Sequence, residues 1–214
     1  MSNRISSTYN QSSGDSGYSL LLDGHKLPKN HPSCRLYSQI EWLNYSISKL
    51  LVSYDIRYDD LSNIFNWIKN NSFSLSSFCF LKGDTDRHTL PIDFSDNLEQ
   101  LVKELKLDRV IGESSDFTIH NNKKYINLDG IRIVIRDTEI TFTDWRRDEI
   151  VNEFIINTVR NEPDKAQKIV INIDSYASYL NRLSTFIWLA TRKEAQLCGD
   201  FDTQTIWKGG ITNV

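Results

Sequence analysis

The chain has 214 residues, enough for one large domain or two small ones, and its five Trp, nine Tyr and ten Phe supply bulk for a core without metals or disulfides. A formal net charge of −3 gives no overall positive field, which argues against wholesale attraction to nucleic acid or an anionic membrane. Cys34, Cys79 and Cys198 are odd in number and never spaced C-x-x-C, so neither a disulfide framework nor a zinc site is signalled.

Residues 1–17 are too polar to bury anything and read as a disordered tail. A single α+β domain is expected over 18–200, followed by a loose C-terminal tail over 201–214 that carries Trp207. No apolar run reaches the ~18 residues of a membrane span, and the first residues hold no apolar segment of a secretory signal. The expectation is a soluble, intracellular protein of the cytoplasm or nucleus, whose sequons at Asn10, Asn44 and Asn70 are accidental.

Ile40, Leu43, Ile47, Leu50 and Tyr54 step by three and four, as one face of a helix does. Asp59 caps a second helix with Leu61, Ile64, Phe65 and Ile68 as its stripe, ended by Asn70-Asn71. Ser74 to Leu81 reads as a strand, and Ser95 or Asp96 then caps a helix burying Leu98, Leu101, Val102 and Leu105. The middle third carries the β signal. Runs at 117–120 and 125–128 are punctuated by Asn121-Asn122 and by the hairpin pair Asp129-Gly130. Ile131, Ile133 and Ile135 alternate with Arg132 and Arg136, and Ile140 and Phe142 follow on a returning strand. The spacing predicts an antiparallel meander over about 117–143, packed by N- and C-terminal helices. An amphipathic helix follows Asp144, with Ile150, Val151, Phe154, Ile155 and Val159 on its apolar face. A long final helix is expected over Ser175–Leu197, closed by Gly199, with 163–174 open to helix or strand.

The search for chemistry returns few constellations. Asp84-Thr85-Asp86 with His88 is a short carboxylate pair able to chelate Mg²⁺ or Mn²⁺, the basis for a metal-dependent enzyme on phosphoester or nucleotide substrates. Lys123, Lys124, Arg132, Arg136, Arg146 and Arg147 form a basic set; Arg132 and Arg136 share the wet face of one strand, the basis for a nucleic-acid-binding module. Acidic neighbours from Asp137 to Glu149 offset most of that field. No G-x-G-x-x-G or P-loop occurs, and no organic cofactor is signalled. Asp15-Ser16-Gly17-Tyr18-Ser19 resembles the phosphodegrons read by an F-box ubiquitin ligase, which makes Ser16 and Ser19 candidate phosphorylation sites. Phe186, Trp188 and Trp207 are candidate partner-binding aromatics, and the final helix is a candidate seam for homo-oligomers.

The leading reading is a non-enzymatic interaction, regulatory or accessory protein, of viral or bacterial-antagonist type, whose partner is another protein. The metal-dependent enzyme stands second and the nucleic-acid module third.

Overall fold

Helix α1 (Pro32–Ser53) begins where the sequence supplies two start signals together. Pro32 sits in the first turn, and His31, in extended backbone, accepts the Ser33 N–H on its ring at 3.1 Å. The computed structural model describes residues 16–20, 26–79, 92–108, 111, 117–119, 121–200 and 205–207. Leu36, Ile40, Leu43, Ile47 and Leu50 form the buried stripe of α1, the face its spacing predicts. Helix α2 (Asp59–Cys79) opens with two aspartates, favoured by the partial positive charge of a helix N-terminus.

The chain does not stop at Asn70-Asn71. The Asn71 amide donates to the Trp67 carbonyl at 2.9 Å, within the helix, and α2 continues through the stretch expected to be a strand. Leu75, Phe78 and Cys79 point inward from its last turns. Helix α3 (Ile92–Leu107) buries Leu98, Val102 and Leu105.

The α+β expectation fails in the middle third. Lys123–Arg147 is one 25-residue helix, α4, capped by Asn122, whose side chain accepts the Lys124 N–H at 2.9 Å. The alternating isoleucines conceal a second periodicity. Leu128, Ile131, Ile135, Thr138, Phe142 and Trp145 recur at three and four, and these are the buried residues. Burying that stripe overrides the β preference of the branched residues and absorbs Asp129-Gly130 into the helix. Asp129 there pairs with Arg132 one turn on, at 2.6 Å.

Helix α5 (Glu149–Asn161) takes Asp148 as its cap. Helix α6 (Pro163–Cys198) runs unbroken for 36 residues, so 163–174 is helical, and Gly199 closes it at φ +76°. β structure is confined to two short antiparallel pairs among the described residues. Strands β1 (Tyr18–Leu20) and β2 (Lys26–Pro28) set Ser19 opposite Leu27. Strands β3 (Phe117–Ile119) and β4 (Thr205–Trp207) set Phe117 opposite Trp207, so the expected strand at 117 pairs with a segment that reads as tail.

Side-chain bonds give the directions. Gln39 with Asp137 and Asn127 with Tyr54 make α1 and α4 antiparallel. Arg182 with Glu99 and Lys193 with Asp108 make α3 and α6 parallel. The core between the helices is aromatic. Trp145 is fully buried, stacked on Phe142 at 5.2 Å between ring centres and tilted against Phe78 at 5.8 Å. Its indole N–H donates to the Cys79 carbonyl at 2.9 Å, which joins the end of α4 to the end of α2.

Trp145→Phe keeps most of that volume and removes the donor. Unfolding in urea is expected to show a loss of about 1–2 kcal/mol; an unchanged midpoint would mean that the Cys79 carbonyl does not need the indole.

Candidate functional site at the ends of the bundle

The cavity lined by Leu43, Trp67, Leu75, Thr138, Tyr176 and Tyr179 measures about 20 Å³, the space of about one water, against the several hundred Å³ of small-molecule sites. Among the described residues, the buried polar groups gather at the two ends of the bundle.

At one end stands a buried ion pair. Glu194 of α6 is fully buried and binds the ammonium of Lys124, from the first turn of α4. The same carboxylate accepts the Arg57 N–H at 3.0 Å, the Tyr58 N–H at 2.7 Å and the Cys198 thiol at 3.3 Å. Lys124 also donates to the Asp55 carbonyl. Burial alone pushes the Glu194 carboxyl up, but the Lys124 bond, the two backbone N–H groups and the thiol outweigh it, and the net shift is downward. Two residues earlier on α6, the buried Arg192 guanidinium lies 5.5 Å from the centre of the Trp188 ring, and burial lowers its pKa. The Glu194 cluster is closed: its partners are protein groups, and it fastens the α1–α2 loop to the ends of α4 and α6.

At the other end the groups lie nearer to solvent. The Nδ1 of His31 accepts a backbone N–H, so its Nε2 carries the hydrogen and donates to Asp148 at 3.2 Å. Asp148 meanwhile accepts the Ile150 N–H at 3.0 Å as the cap of α5. The Ser33 hydroxyl donates to the Cys79 carbonyl at 2.8 Å. In front of this cluster lies the β1–β2 pair. Gly17 turns there at φ +81°, a conformation a side chain would strain, and its carbonyl accepts the Lys29 N–H at 2.9 Å. Lys26 and Lys29 are exposed beside it, while Leu27 anchors the strand in the core. A glycine turn with flanking hydroxyls and two open lysines suits a phosphate-bearing ligand.

The residues singled out by sequence scatter. Asp84, Asp86 and His88 lie outside the described residues, and among the described residues no group of three His, Cys, Asp or Glu side chains gathers to hold a metal. The basic set loses its strand. Lys124 is buried in the Glu194 pair, Arg132 is held by Asp129 and Arg146 meets Asp174 at 3.2 Å, while Lys123, Arg136 and Arg147 are exposed on α4. Phe186 is fully buried, with its ring 6.4 Å from that of Tyr58; Trp188 is half-buried, and Trp207 lies in β4. The long stripe of α6 is therefore core. Ser16 sits in the turn before β1 and Ser19 within β1. The signal missed in sequence is Ser16-Gly17 followed by Lys26 and Lys29, a glycine turn with cations behind it.

Glu194→Gln would leave the Lys124 charge buried without its counter-charge, at an expected cost of about 3 kcal/mol. Because the Glu194 pKa is lowered on folding, its contribution is present above the ordinary carboxyl value of 4.5 and is lost as pH falls through the lower folded value. Thermal melts from pH 7 to pH 3 should show a shallower acid-side decline in the variant; parallel curves would refute this role.

Comparison with known proteins turns on the whole chain. No curated protein matches it significantly in sequence. Solved structures do match: three variant forms of the PduO-type ATP:corrinoid adenosyltransferase from Lactobacillus reuteri, two complexed with cobalamin and ATP and one with ATP. Each is 17% identical, with TM-scores of 0.64, 0.64 and 0.61; the alignments cover 92%, 94% and 91% of this chain and 97%, 97% and 95% of theirs. At that identity the likeness establishes the fold, a helical bundle in place of the expected meander. The family model for cobalamin adenosyltransferase matches residues 9–194. That family is one of enzymes, which overturns the reading as a non-enzymatic interaction or accessory protein with a protein partner. The metal-dependent phosphoester enzyme and the nucleic-acid module fall with it. No described helix is long and apolar enough to cross a membrane. With its match running from the glycine turn to the buried Glu194, the chain belongs to the cobalamin adenosyltransferase family.

Proposed function

We propose that the chain transfers the adenosyl group of ATP to a corrinoid. The observation that carries this reading is the family match over 9–194, which takes in the Gly17 turn and all of the bundle but the end of α6. Adenosyl transfer breaks the bond between the adenosyl carbon and a phosphate oxygen, and the electron pair departs with the phosphates. The extra negative charge on that leaving group calls for cations and N–H donors fixed in place beforehand. Lys26, Lys29 and the Gly17 turn, in front of the α1 N-terminus, are the described groups that best meet this need. A cytoplasmic setting, with ATP at hand and thiols kept reduced, accords with three free cysteines.

The test mixes purified protein with ATP and cobalamin reduced to the cobalt(I) state, and follows the absorbance change that marks a cobalt–carbon bond. Formation of a light-sensitive product that requires both substrates is expected. A folded protein that makes no product and binds no ATP by calorimetry would overturn the reading. In the double variant Lys26→Ala/Lys29→Ala, KM for ATP should rise and kcat should fall, lowering kcat/KM by at least about tenfold, the size of one lost charge-assisted contact. An unaltered kcat/KM would remove the lysines from the phosphate site.

A further inference from the structure

His31 occupies the N-cap of α1, a position that Ser, Thr, Asp or Asn fill most often. As a cap it uses one ring atom: Nδ1 accepts the Ser33 N–H at 3.1 Å. What histidine adds over those shorter residues is a second polar atom on the far side of the ring. Its Nε2 donates to Asp148 at 3.2 Å, across 117 positions of sequence, and the ring is buried. Asp148 cannot follow a moving ring without giving up α5. The same carboxylate oxygen accepts the Ile150 N–H at 3.0 Å and the Val151 N–H at 3.4 Å as the cap of that helix.

The backbone carries this fixed point to the cations. The His31 N–H donates to the Pro28 carbonyl at 2.9 Å and closes a turn in which Lys29 sits. Lys29 donates its own N–H to the Gly17 carbonyl at 2.9 Å. A short run of bonds therefore leads from Asp148 through His31 to Lys29 and the glycine turn. Leu27 holds β2 in the core as well, but an apolar contact sets depth and not direction. A lysine ammonium rides on a flexible four-carbon stem, so its reach depends on where its backbone is held.

We infer that His31 is a positioning residue for the phosphate site: tied to Asp148 through Nε2, it fixes the turn that presents Lys29 to the ligand. The inference rests on the adenosyl-transfer reading, which sets the phosphates of ATP against Lys26 and Lys29. It gives the two ring nitrogens separate tasks, a cap for α1 at Nδ1 and a tie at Nε2, and substitution can separate them. An asparagine side-chain oxygen stands where Nδ1 does and caps as well, but its amide falls short of Asp148. A glutamine amide reaches the place of Nε2 and gives up the cap.

The test compares wild type, His31→Asn and His31→Gln in melting temperature, ATP binding by calorimetry and kcat/KM for ATP. His31→Asn should keep the α1 cap and lower kcat/KM about fivefold, the size of one lost hydrogen bond. His31→Gln should melt lower for want of the cap, yet stay within about twofold of wild type in kcat/KM. Asp148→Ser still caps α5 but is too short to reach His31. It should reproduce the loss seen in His31→Asn, and it carries the test if that variant does not fold. In Lys29→Ala protein, His31→Asn should cost nothing further, because the residue acts through Lys29. A wild type that binds no ATP and makes no product would overturn the adenosyl-transfer reading and this inference with it. In a competent wild type, a kcat/KM untouched by His31→Asn and Asp148→Ser, or one that follows melting temperature across the set, would overturn the inference alone. So would an undiminished loss in the Lys29→Ala background.

Discussion

A bundle of long helices concentrates its unmet hydrogen-bonding groups at its two ends, because the first N–H groups and last carbonyls of each helix have no partner within it. This fold answers that constraint with side chains drawn from other helices. The Cys79 carbonyl, at the end of α2, takes the Ser33 hydroxyl from the start of α1 and the Trp145 indole from the end of α4. Asp148 caps α5 while holding His31, the cap of α1. At the opposite end Glu194 takes the backbone N–H groups that lead into α2 and the ammonium from the first turn of α4. Apolar stripes hold the helices side by side, but these polar ties fix how far each may slide along its neighbour.

Legibility in the sequence followed from how many structures a given pattern permits. The stripes of α1 and of the later part of α6 have a single helical period, and both are buried as spaced. In α4 two periods coexist. Ile131, Ile133 and Ile135 satisfy a strand, while Leu128, Ile131, Ile135 and Phe142 satisfy a helix, and only packing against α1 and α6 decides between them. Asp129-Gly130 tipped the local reading toward a turn, although a glycine in a helix costs only about 1 kcal/mol, little beside the burial of Trp145 and Phe142. Asn70-Asn71 misled in the same way, since an asparagine can serve the helix it sits in.

The ends of the bundle were less legible still. Lys124 and Glu194 are seventy residues apart, and as letters they are an ordinary lysine and an ordinary glutamate. Only the fold turns them into a buried pair. The glycine turn ahead of Lys26 is a short run of Gly and Ser that serves many roles, and its spacing also fits a degron-like motif. Chemistry in this family was recoverable from the chain taken whole and from no single motif within it.

Helix α6 is much longer than the helices around it. Its 36 residues span about 54 Å, against about 33 Å for the 22 residues of α1. Around Tyr176, which packs on Phe78 and Phe142, the helix still runs inside the bundle. Below that level the arm from Pro163 to about Ser175 carries α5, and Ile150, Val170 and Ile171 stay open to solvent. A two-helix arm buries less apolar surface per residue than the bundle and is held at its base by Arg146 on Asp174 and by the Asp148 cap. Its amide hydrogens are therefore set to exchange with solvent well before those of α1 or α4, so the arm opens as a separate cooperative unit while the bundle stays folded.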